Sequence, residues 1–317
     1  MKKILVTGAT GFVGGAVMHE LVRLGAPIIA GVRNNGVLAS NTVKQIKVGD
    51  ISSITDWLPA LSGVDVVIHA AARVHVMNDS SADPLTEFRQ VNAAGALNLA
   101  RQAVDAGIKR FIFISSIKVN GEMTLVGQAF QPDDNYMPVD PYGLSKYEAE
   151  QGLLAIAKET GMEVVIVRPP LIYGPGVKAN FLSMMKWMNK GVPLPFGAIH
   201  NQRSLVALDN LVSFIIHCAD YKKTPQAANQ VFLVSDGDDV STTELLQKVA
   251  KAFGKKALLL PVPVGFMTLA AKLIGKGDVS NRLFGSLQVD SSKARELLGW
   301  TPVVTMDEQL KKIAEAD

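Results

Sequence analysis

A glycine-rich loop near the start of the chain constrains the fold more than any other feature of the sequence. Residues 7–14, Thr-Gly-Ala-Thr-Gly-Phe-Val-Gly, follow a short apolar run and precede a helical pattern. In such a unit one glycine permits a tight turn, the next lets the backbone approach a pyrophosphate at the helix N-terminus, and the last lets helix and strand pack closely. The loop therefore predicts a dinucleotide site that includes Gly8, Gly11, Phe12, Val13 and Gly14.

Further apolar runs predict a parallel sheet that helices cover on both faces. These runs are residues 4–7, 28–32, 64–70, 110–115 and 164–168. They are too continuously apolar to be half-exposed strands. The clearest helical patterns between them are residues 15–24, 90–106 and 142–160. Strand-helix alternation of this kind predicts right-handed crossovers and an α/β fold with a doubly wound sheet of Rossmann type.

The sequence changes character after Pro169 and Pro170, where turns rich in glycine and proline begin and a methionine-rich helix is expected around residues 181–188. Residues 231–234 resemble one more buried strand, and Ser241 and Glu244 have the spacing of a helix capping box. We expect residues 1–170, rejoined by 203–238, to form the dinucleotide-binding domain. Residues 171–202 and 239–317 are expected to form a smaller, discontinuous α/β lobe that binds the substrate.

Composition and charge exclude several classes of protein. The net charge is only +3 and no basic run interleaves with aromatic residues, so nucleic acid is not an expected partner. The lone Cys218 lies in an apolar stretch and cannot form an internal disulfide, and the five histidines lack metal-ligand spacing, so no metal is expected.

The longest apolar stretch, 257–271, is interrupted by Pro261 and Pro263 and is too short to span a membrane. No signal peptide develops after Val6, which predicts a cytoplasmic location.

Several positions indicate how the dinucleotide is held. Enzymes that select NAD usually carry an acidic residue at the end of the second strand, but this sequence has Arg33 there. A guanidinium can pair with an adenosine 2′-phosphate and stack on adenine, which favours NADP(H) and leaves NAD(H) possible. The alternative is that Arg33 lies in a solvated loop and binds no cofactor.

Other positions could also contact the dinucleotide. Asp50 and Ile51 follow the third strand and could contact adenine. Ala70, Ala71 and Ala72 supply small residues where the cofactor must pass close to the backbone.

Ser116 and the pair Tyr142 and Lys146 are the candidate catalytic residues. One helical turn separates Tyr142 from Lys146, so both side chains can face one cleft. A nearby ammonium favours the phenolate form of a tyrosine, so Lys146 can activate Tyr142. Lys146 could also bind the nicotinamide ribose, while Ser116 could hold the substrate oxygen that Tyr142 protonates or deprotonates.

Taken in order along the chain, these motifs resemble the extended short-chain dehydrogenase/reductase family, in particular its nucleotide-sugar epimerase and reductase branch. The similarity covers nearly the whole chain. It rests on residues 7–14, Asp50, 69–72, Asn92, 115–121, 141–146, 168–176, 203–211 and 298–302.

The resemblance implies roles for further residues. The family places its catalytic serine or threonine five residues before a glycine, which selects Ser116 ahead of Gly121. It implies that Asn92 stabilises the lysine environment and that a homodimer forms through helices near residues 90–106 and 142–160. The residues that it places at the cofactor or the substrate are Asn92, Tyr142, Lys146 and Pro169 for the cofactor, and Ser116, Lys118, Asn120, Asn180, Arg203 and Arg282 for the sugar nucleotide.

Departures from the family pattern narrow the expected chemistry. Sugar 4,6-dehydratases carry an acidic pair after the catalytic residue, whereas this chain has Ile117 and Lys118, so a dehydratase is not expected. Asn120 replaces the usual tyrosine, and Leu171 stands where many epimerases have an asparagine.

The resemblance implies a UDP-sugar substrate and a place in the synthesis of O-antigen or capsule precursors. We predict oxidoreduction at C4 of a UDP-hexose or UDP-N-acetylhexosamine, with an NADP(H)-dependent 4-ketoreductase ahead of a 4-epimerase with tightly bound NAD. A non-catalytic NADP sensor and a scaffold of polysaccharide assembly are the alternatives from other classes of protein. Retention of the Tyr142/Lys146 pair disfavours the sensor.

Overall fold

A seven-stranded parallel sheet forms the centre of the protein. The computed structural model describes residues 2–34, 43–74, 83–125, 127–177, 184–185, 187, 191–273 and 283–316. The strands are β1 Ile4–Thr7, β2 Ile28–Val32, β3 Lys44–Lys47, β4 Val66–His69, β5 Arg110–Ile114, β6 Glu163–Arg168, β7 Leu171–Tyr173, β8 Leu205–Ala207 and β9 Gln230–Leu233. Seven of them form one sheet in the order β3-β2-β1-β4-β5-β6-β9. The predicted doubly wound α/β fold is confirmed, since the order reverses between β1 and β4.

Helices cover both faces of this sheet. They are α1 Phe12–Arg23, α2 Leu58–Leu61, α3 Pro84–Phe88, α4 Gly95–Asp105, α5 Pro141–Thr160, α6 Leu208–Ala219, α7 Thr242–Ala252, α8 Val264–Leu273, α9 Ser292–Leu298 and α10 Met306–Ala316, with a π-helical turn at Arg89–Ala94. Neighbouring strand residues point to opposite faces, so Val6 and Leu5 enter different cores. Val6 packs in a cluster with Val17 of α1 and Leu211 of α6, and Leu5 packs in another with Leu99 of α4.

The structure differs from the sequence prediction at the edges of some elements. The helix expected over 90–106 begins with the π-helical turn, and α4 starts only at Gly95. The strand expected over 64–70 is β4, Val66–His69. Strand β3 lies at the edge of the sheet and is partly exposed, so it lacks the apolar run that marked its neighbours.

The second half of the chain adds the pair β7 and β8 and a third apolar cluster, in which Tyr173, Leu205 and Leu246 are buried. Strand β9 returns to the sheet beside β6, and the predicted capping box of Ser241 and Glu244 is present at the start of α7. The methionine-rich helix predicted around residues 181–188 lies mostly outside the described residues. Residues 184, 185 and 187 are described, and all three are helical. No described helix is long and apolar enough to cross a membrane.

Candidate active site

A cleft of ≈ 1450 Å³ opens at the C-terminal ends of the strands. Of the predicted site residues, those that line it are Gly11, Phe12, Val13, Ala70, Ala72, Tyr142, Lys146 and Pro169. A cleft at the reversal of strand order is where doubly wound sheets bind their ligands. The structure therefore brings the predicted dinucleotide loop and the Tyr142/Lys146 pair to one cavity.

Gly8 and Gly14 of the loop pack so closely against neighbouring backbone that no side chain fits at either position. Gly8 has a left-handed φ of 69°, and a Cβ on it would lie 2.7 Å from the backbone nitrogen of Ala71. A Cβ on Gly14 would lie 2.1 Å from the carbonyl oxygen of Gly8. Gly11 is the N-cap of α1, where no side chain caps the helix and no acidic residue lies in the first turn. The N-terminus of α1 can thus receive a pyrophosphate, and the cradle fits a dinucleotide.

Arg33 and Asp50, which the sequence assigned separately to the cofactor, form an ion pair with 2.8 Å between Nε and Oδ1. The two side chains are 77% and 84% exposed. An ion pair this exposed contributes only about 0–1 kcal/mol, so either group can turn to a ligand at little cost. Ile51 is partly buried, and its Cγ2 atom would lie 2.5 Å from a Cβ on Gly95. That contact places Ile51 against the helical layer beside the cleft.

His69 lies at the end of β4, fully buried between Phe111 and Phe113. Its Nδ1 atom is 2.7 Å from Oγ1 of Thr7. Burial lowers the pKa of His69 to about 3, with the nearby Lys146 ammonium as the smaller cause. The imidazole is therefore neutral at physiological pH and acts as part of the core under the cleft.

The buried neutral state of His69 predicts a stability that depends on pH. Its folded pKa is below the unfolded value of 6.5, so between pH 6.5 and about 3 only the unfolded chain binds this proton. The free energy of unfolding should therefore fall by up to about 1.4 kcal/mol per pH unit as the pH drops below 6.5. Urea denaturation at pH 5 and pH 7 measures the slope. His69→Asn should flatten it, whereas His19→Asn, at an exposed position, should not; equal slopes in wild type and His69→Asn would contradict the assignment.

Asn92, which the family resemblance placed near the lysine, lies in the π-helical turn. Its side chain accepts a hydrogen bond from the backbone of Arg73 (2.8 Å) and donates to the carbonyl of Arg73 (3.0 Å) and to Ser145 Oγ (3.0 Å). Ser145 in turn donates to the carbonyl of Tyr142. Asn92 thus ties the strand end after β4 to the first turn of α5, which carries Tyr142.

Tyr142 and Lys146 face the cleft from the start of α5, and the Ser116 hydroxyl forms a hydrogen bond with Tyr142. Burial raises the pKa of Tyr142 to about 12, with the Asp140 carboxylate as a further cause, and the Ser116 contact lowers it in part. Burial also lowers the pKa of Lys146 to about 7, against a raising effect of Glu150.

The structure shows the surroundings of Lys146, and the activation of Tyr142 by its ammonium stays a prediction. Lys146 Nζ donates to the carbonyl of Ile114 (2.8 Å) and lies 4.4 Å from the centre of the Phe113 ring. Burial raises the pKa of Tyr142, so at physiological pH Tyr142 is the neutral phenol, a proton donor. The sequence expectation took the spacing of the pair into account but not the desolvation of both groups.

Behind the candidate catalytic residues lies a buried polar network that the sequence analysis missed. Glu150, wholly buried on α5, accepts from Arg168 Nη2 at 2.5 Å and from the Ser115 hydroxyl. Arg168 Nη1 donates to Asn120 Oδ1 at 2.9 Å. Glu150 follows Lys146 by one helical turn, as Lys146 follows Tyr142, and this repeated spacing is the signal that could have found it. The network holds the strand end next to Ser116.

The predicted substrate residues have differing environments. Lys118 pairs with Asp140 (3.1 Å) and Glu122 (3.2 Å), and Asn120 is 2% exposed with its amide nitrogen on the carbonyl of Gln131. Arg203 donates to the carbonyl of Gly285, and burial lowers its pKa. The predicted residues Asn180 and Arg282 lie outside the described residues.

Comparisons with known proteins agree with this geometry. The profile of the family described as "NAD dependent epimerase/dehydratase family" matches residues 4–232. The chain is 52% identical to a UDP-glucose 4-epimerase of Vibrio cholerae over 99% of this chain and 95% of that protein. It is 29% identical, over 86% of this chain and 81% of the relative, to the N-acetyl-alpha-D-glucosaminyl-diphospho-ditrans,octacis-undecaprenol 4-epimerase of Escherichia coli O157:H7.

Among solved structures, UDP-N-acetylglucosamine 4-epimerase from Bacillus cereus superposes with a TM-score of 0.79 at 22% identity, covering 99% of each chain. This likeness concerns the fold. The family profile and the V. cholerae relative bear on the enzyme class, and they confirm the predicted dinucleotide-dependent enzyme. The protein therefore belongs to the NAD dependent epimerase/dehydratase family.

Proposed function

We propose that the protein is a nucleotide-sugar 4-epimerase, which inverts C4 of a UDP-hexose or UDP-N-acetylhexosamine. The observation that carries the proposal is the meeting of Tyr142 and Lys146 at a dinucleotide cleft, with Ser116 hydrogen-bonded to Tyr142, in a chain 52% identical to a UDP-glucose 4-epimerase. The sequence analysis gives the epimerase as the alternative to a reductase that acts at the same carbon, C4. The identity to a UDP-glucose 4-epimerase favours the epimerase over the reductase.

The residues of the cleft divide the work of this reaction. Bound on the glycine loop, a nicotinamide dinucleotide supplies a hydride acceptor and donor for C4. Tyr142, a neutral phenol at the cleft, donates its proton to the C4 oxygen when a 4-keto sugar is reduced, and takes it back when the alcohol is oxidised. The Ser116 hydroxyl lies beside Tyr142 and can hold the same oxygen. Lys146, one turn along α5, is the cation that supports the phenolate in the oxidative direction.

One set of residues can serve two reactions, because an epimerase and a reductase both transfer hydride at C4 and a proton at the C4 oxygen. An epimerase removes and returns hydride at the same carbon, so it needs no net supply of reduced cofactor. A reductase needs reduced cofactor to enter and oxidised cofactor to leave. The second candidate function is therefore an NADP(H)-dependent 4-ketoreductase, and Arg33 at the end of β2 is the observation that favours it.

Two assays separate the candidates. The first supplies UDP-glucose or UDP-N-acetylglucosamine without added cofactor, and the second supplies NADPH with a UDP-4-keto-6-deoxyhexosamine. The epimerase predicts C4 epimers in the first assay and no oxidation of NADPH in the second. NADPH oxidation with no epimers in the first assay would replace the epimerase by the reductase. Activity in neither assay would remove both proposals.

Arg33 should decide which dinucleotide binds. An adenosine 2′-phosphate gains a charge-assisted contact with the guanidinium, a contribution of about 1.5–3 kcal/mol that corresponds to roughly ten- to hundredfold in affinity. The ketoreductase candidate therefore predicts that wild type binds NADP more tightly than NAD and that Arg33→Gln removes most of the difference. Titration of both dinucleotides into both proteins measures it. Equal affinities of the wild type would show that Arg33 does not select the cofactor and would leave the ketoreductase unsupported.

A homodimer and a cytoplasmic location complete the proposal. Both agree with the family resemblance. Light scattering of the purified protein tests the first, and cell fractionation tests the second.

A further inference from the structure

Helix α8, Val264–Leu273, is apolar except at Thr268 and Lys272, yet none of its described side chains is buried. Phe266, Leu269 and Leu273 are 71%, 58% and 79% exposed, and their spacing puts them on one face. Helix α6 is similarly apolar and buries most of its residues between the sheet and α1. A helix that is apolar and unburied within its own chain has a surface that a partner can cover.

The segment before α8 has the same character and is firmly attached. Leu259 packs against the third apolar cluster, while Leu258 and Leu260 on either side of it are 51% and 54% exposed. Backbone hydrogen bonds join the segment to Leu194, 2.9 Å to the carbonyl of Leu258 and 2.8 Å from the nitrogen of Leu260. Leu258 and Leu260 therefore project from an anchored backbone.

The charges of this stretch are all of one sign. Lys255, Lys256 and Lys272 are exposed, and none of them forms an ion pair with a described residue. No acidic residue occurs between Gly254 and Leu273. Exposed apolar side chains flanked by unpaired lysines are the composition of segments that lie in the interface of an anionic bilayer.

We propose that residues 255–273 attach the protein to the surface of an anionic lipid membrane, with α8 in the plane of the bilayer. Phe266, Leu269 and Leu273 enter the boundary between head groups and acyl chains, and the lysines bind lipid phosphates. A second copy of the chain is the poorer partner, because the segment offers no carboxylate to pair with the lysines of its copy, and interface cores are depleted of charge. The short α8 rests on the surface and does not span it.

Sedimentation of the purified full-length protein with vesicles tests this proposal. We expect binding to vesicles of phosphatidylglycerol and phosphatidylethanolamine, weaker binding in high salt, and little binding to phosphatidylcholine. Each Lys→Gln substitution at 255, 256 or 272 should weaken binding roughly fivefold. The double variant Phe266→Ser/Leu269→Ser should weaken it at least about tenfold. Ile54→Ser, which removes an apolar side chain that is 90% exposed and lies outside residues 255–273, is the matched control and should bind as wild type does.

Circular dichroism and thermal unfolding show that each variant is folded, and the substitutions fall on exposed side chains. The proposal is overturned if the wild type does not sediment with anionic vesicles, or if Phe266→Ser/Leu269→Ser binds them as wild type does. It is also overturned if that variant only converts a dimer into a monomer in light scattering, since the face then belongs to a second copy. None of these results depends on which C4 reaction the cleft performs.

Discussion

Tyr142→Phe should abolish most turnover while the fold and dinucleotide affinity stay as in the wild type. The substitution removes only the hydroxyl, which faces the cleft next to Ser116 and is the proton donor for the C4 oxygen. Loss of a general acid or base lowers kcat by about 10²–10⁴-fold. Steady-state kinetics with the UDP-sugar gives the change in kcat, and titration with the dinucleotide gives its affinity.

Tyr147→Phe is the matched control, since Tyr147 lies on the same helix α5 but does not line the cleft. It should keep wild-type turnover. Turnover of Tyr142→Phe within a few-fold of the wild type would assign the proton to another group, and loss of dinucleotide affinity in the variant would show that the hydroxyl serves binding instead.

Glu150→Gln should lower the free energy of unfolding by about 3–5 kcal/mol, since removing one partner leaves the Arg168 charge buried without compensation. The Glu150 side chain is fully buried and that of Arg168 is 6% exposed, with 2.5 Å between Nη2 and Oε2. Urea denaturation measures the loss. Replacement of both partners, Glu150→Gln/Arg168→Met, should recover a large part of it because no unpaired charge then remains.

A second ion pair on the same helix gives the control. Glu148 and Arg89 are also 2.5 Å apart, but their side chains are 32% and 47% exposed. Glu148→Gln should therefore cost at most about 1 kcal/mol. Comparable losses for Glu148→Gln and Glu150→Gln would mean that burial does not govern the contribution of these pairs. In that case the network behind Ser116 would not be the support that its geometry indicates.

The fold could be predicted from sequence wherever a strand lies in the middle of the sheet. Runs 4–7 and 28–32 coincide with β1 and β2, because strands buried on both faces must be apolar throughout. β3 at the edge has no such pattern, and the bounds of β7 and β8, each only three residues long, were not predicted. The π-helical turn was also missed, since it depends on how Asn92 bonds to Arg73 and Ser145 and not on local residue preference.

The site was predictable where one element carries several of its residues. Tyr142 and Lys146 share α5, and the glycine loop is continuous in sequence, so spacing defined each group, and their order along the chain and the family resemblance assigned both to one site. The pairing of Arg33 with Asp50 was not predicted, because it requires that β2 and β3 be neighbours in the sheet. The raised pKa of Tyr142 depends on desolvation, which only the packed structure reveals. Asn180 and Arg282 remain predictions.

The side chain of Asn210, on α6, forms four hydrogen bonds. Its oxygen accepts from the backbone N–H groups of Val303 and Val304. Its nitrogen donates to the Asp236 carboxylate and to the carbonyl of Val304. It is wholly buried, and Val304 lies 94 residues later in the chain. On the ribosome, where domains fold as they emerge, the side-chain oxygen of Asn210 therefore has no backbone donors until residues 303 and 304 have been made. A chain that ends before Val303 would leave the buried side-chain oxygen of Asn210 without its two backbone donors, at a cost of about 1–3 kcal/mol, while the amide nitrogen could still donate to Asp236. Such truncated products should be recognised by cellular proteases as unfinished chains, even though every strand of the sheet is already present in them.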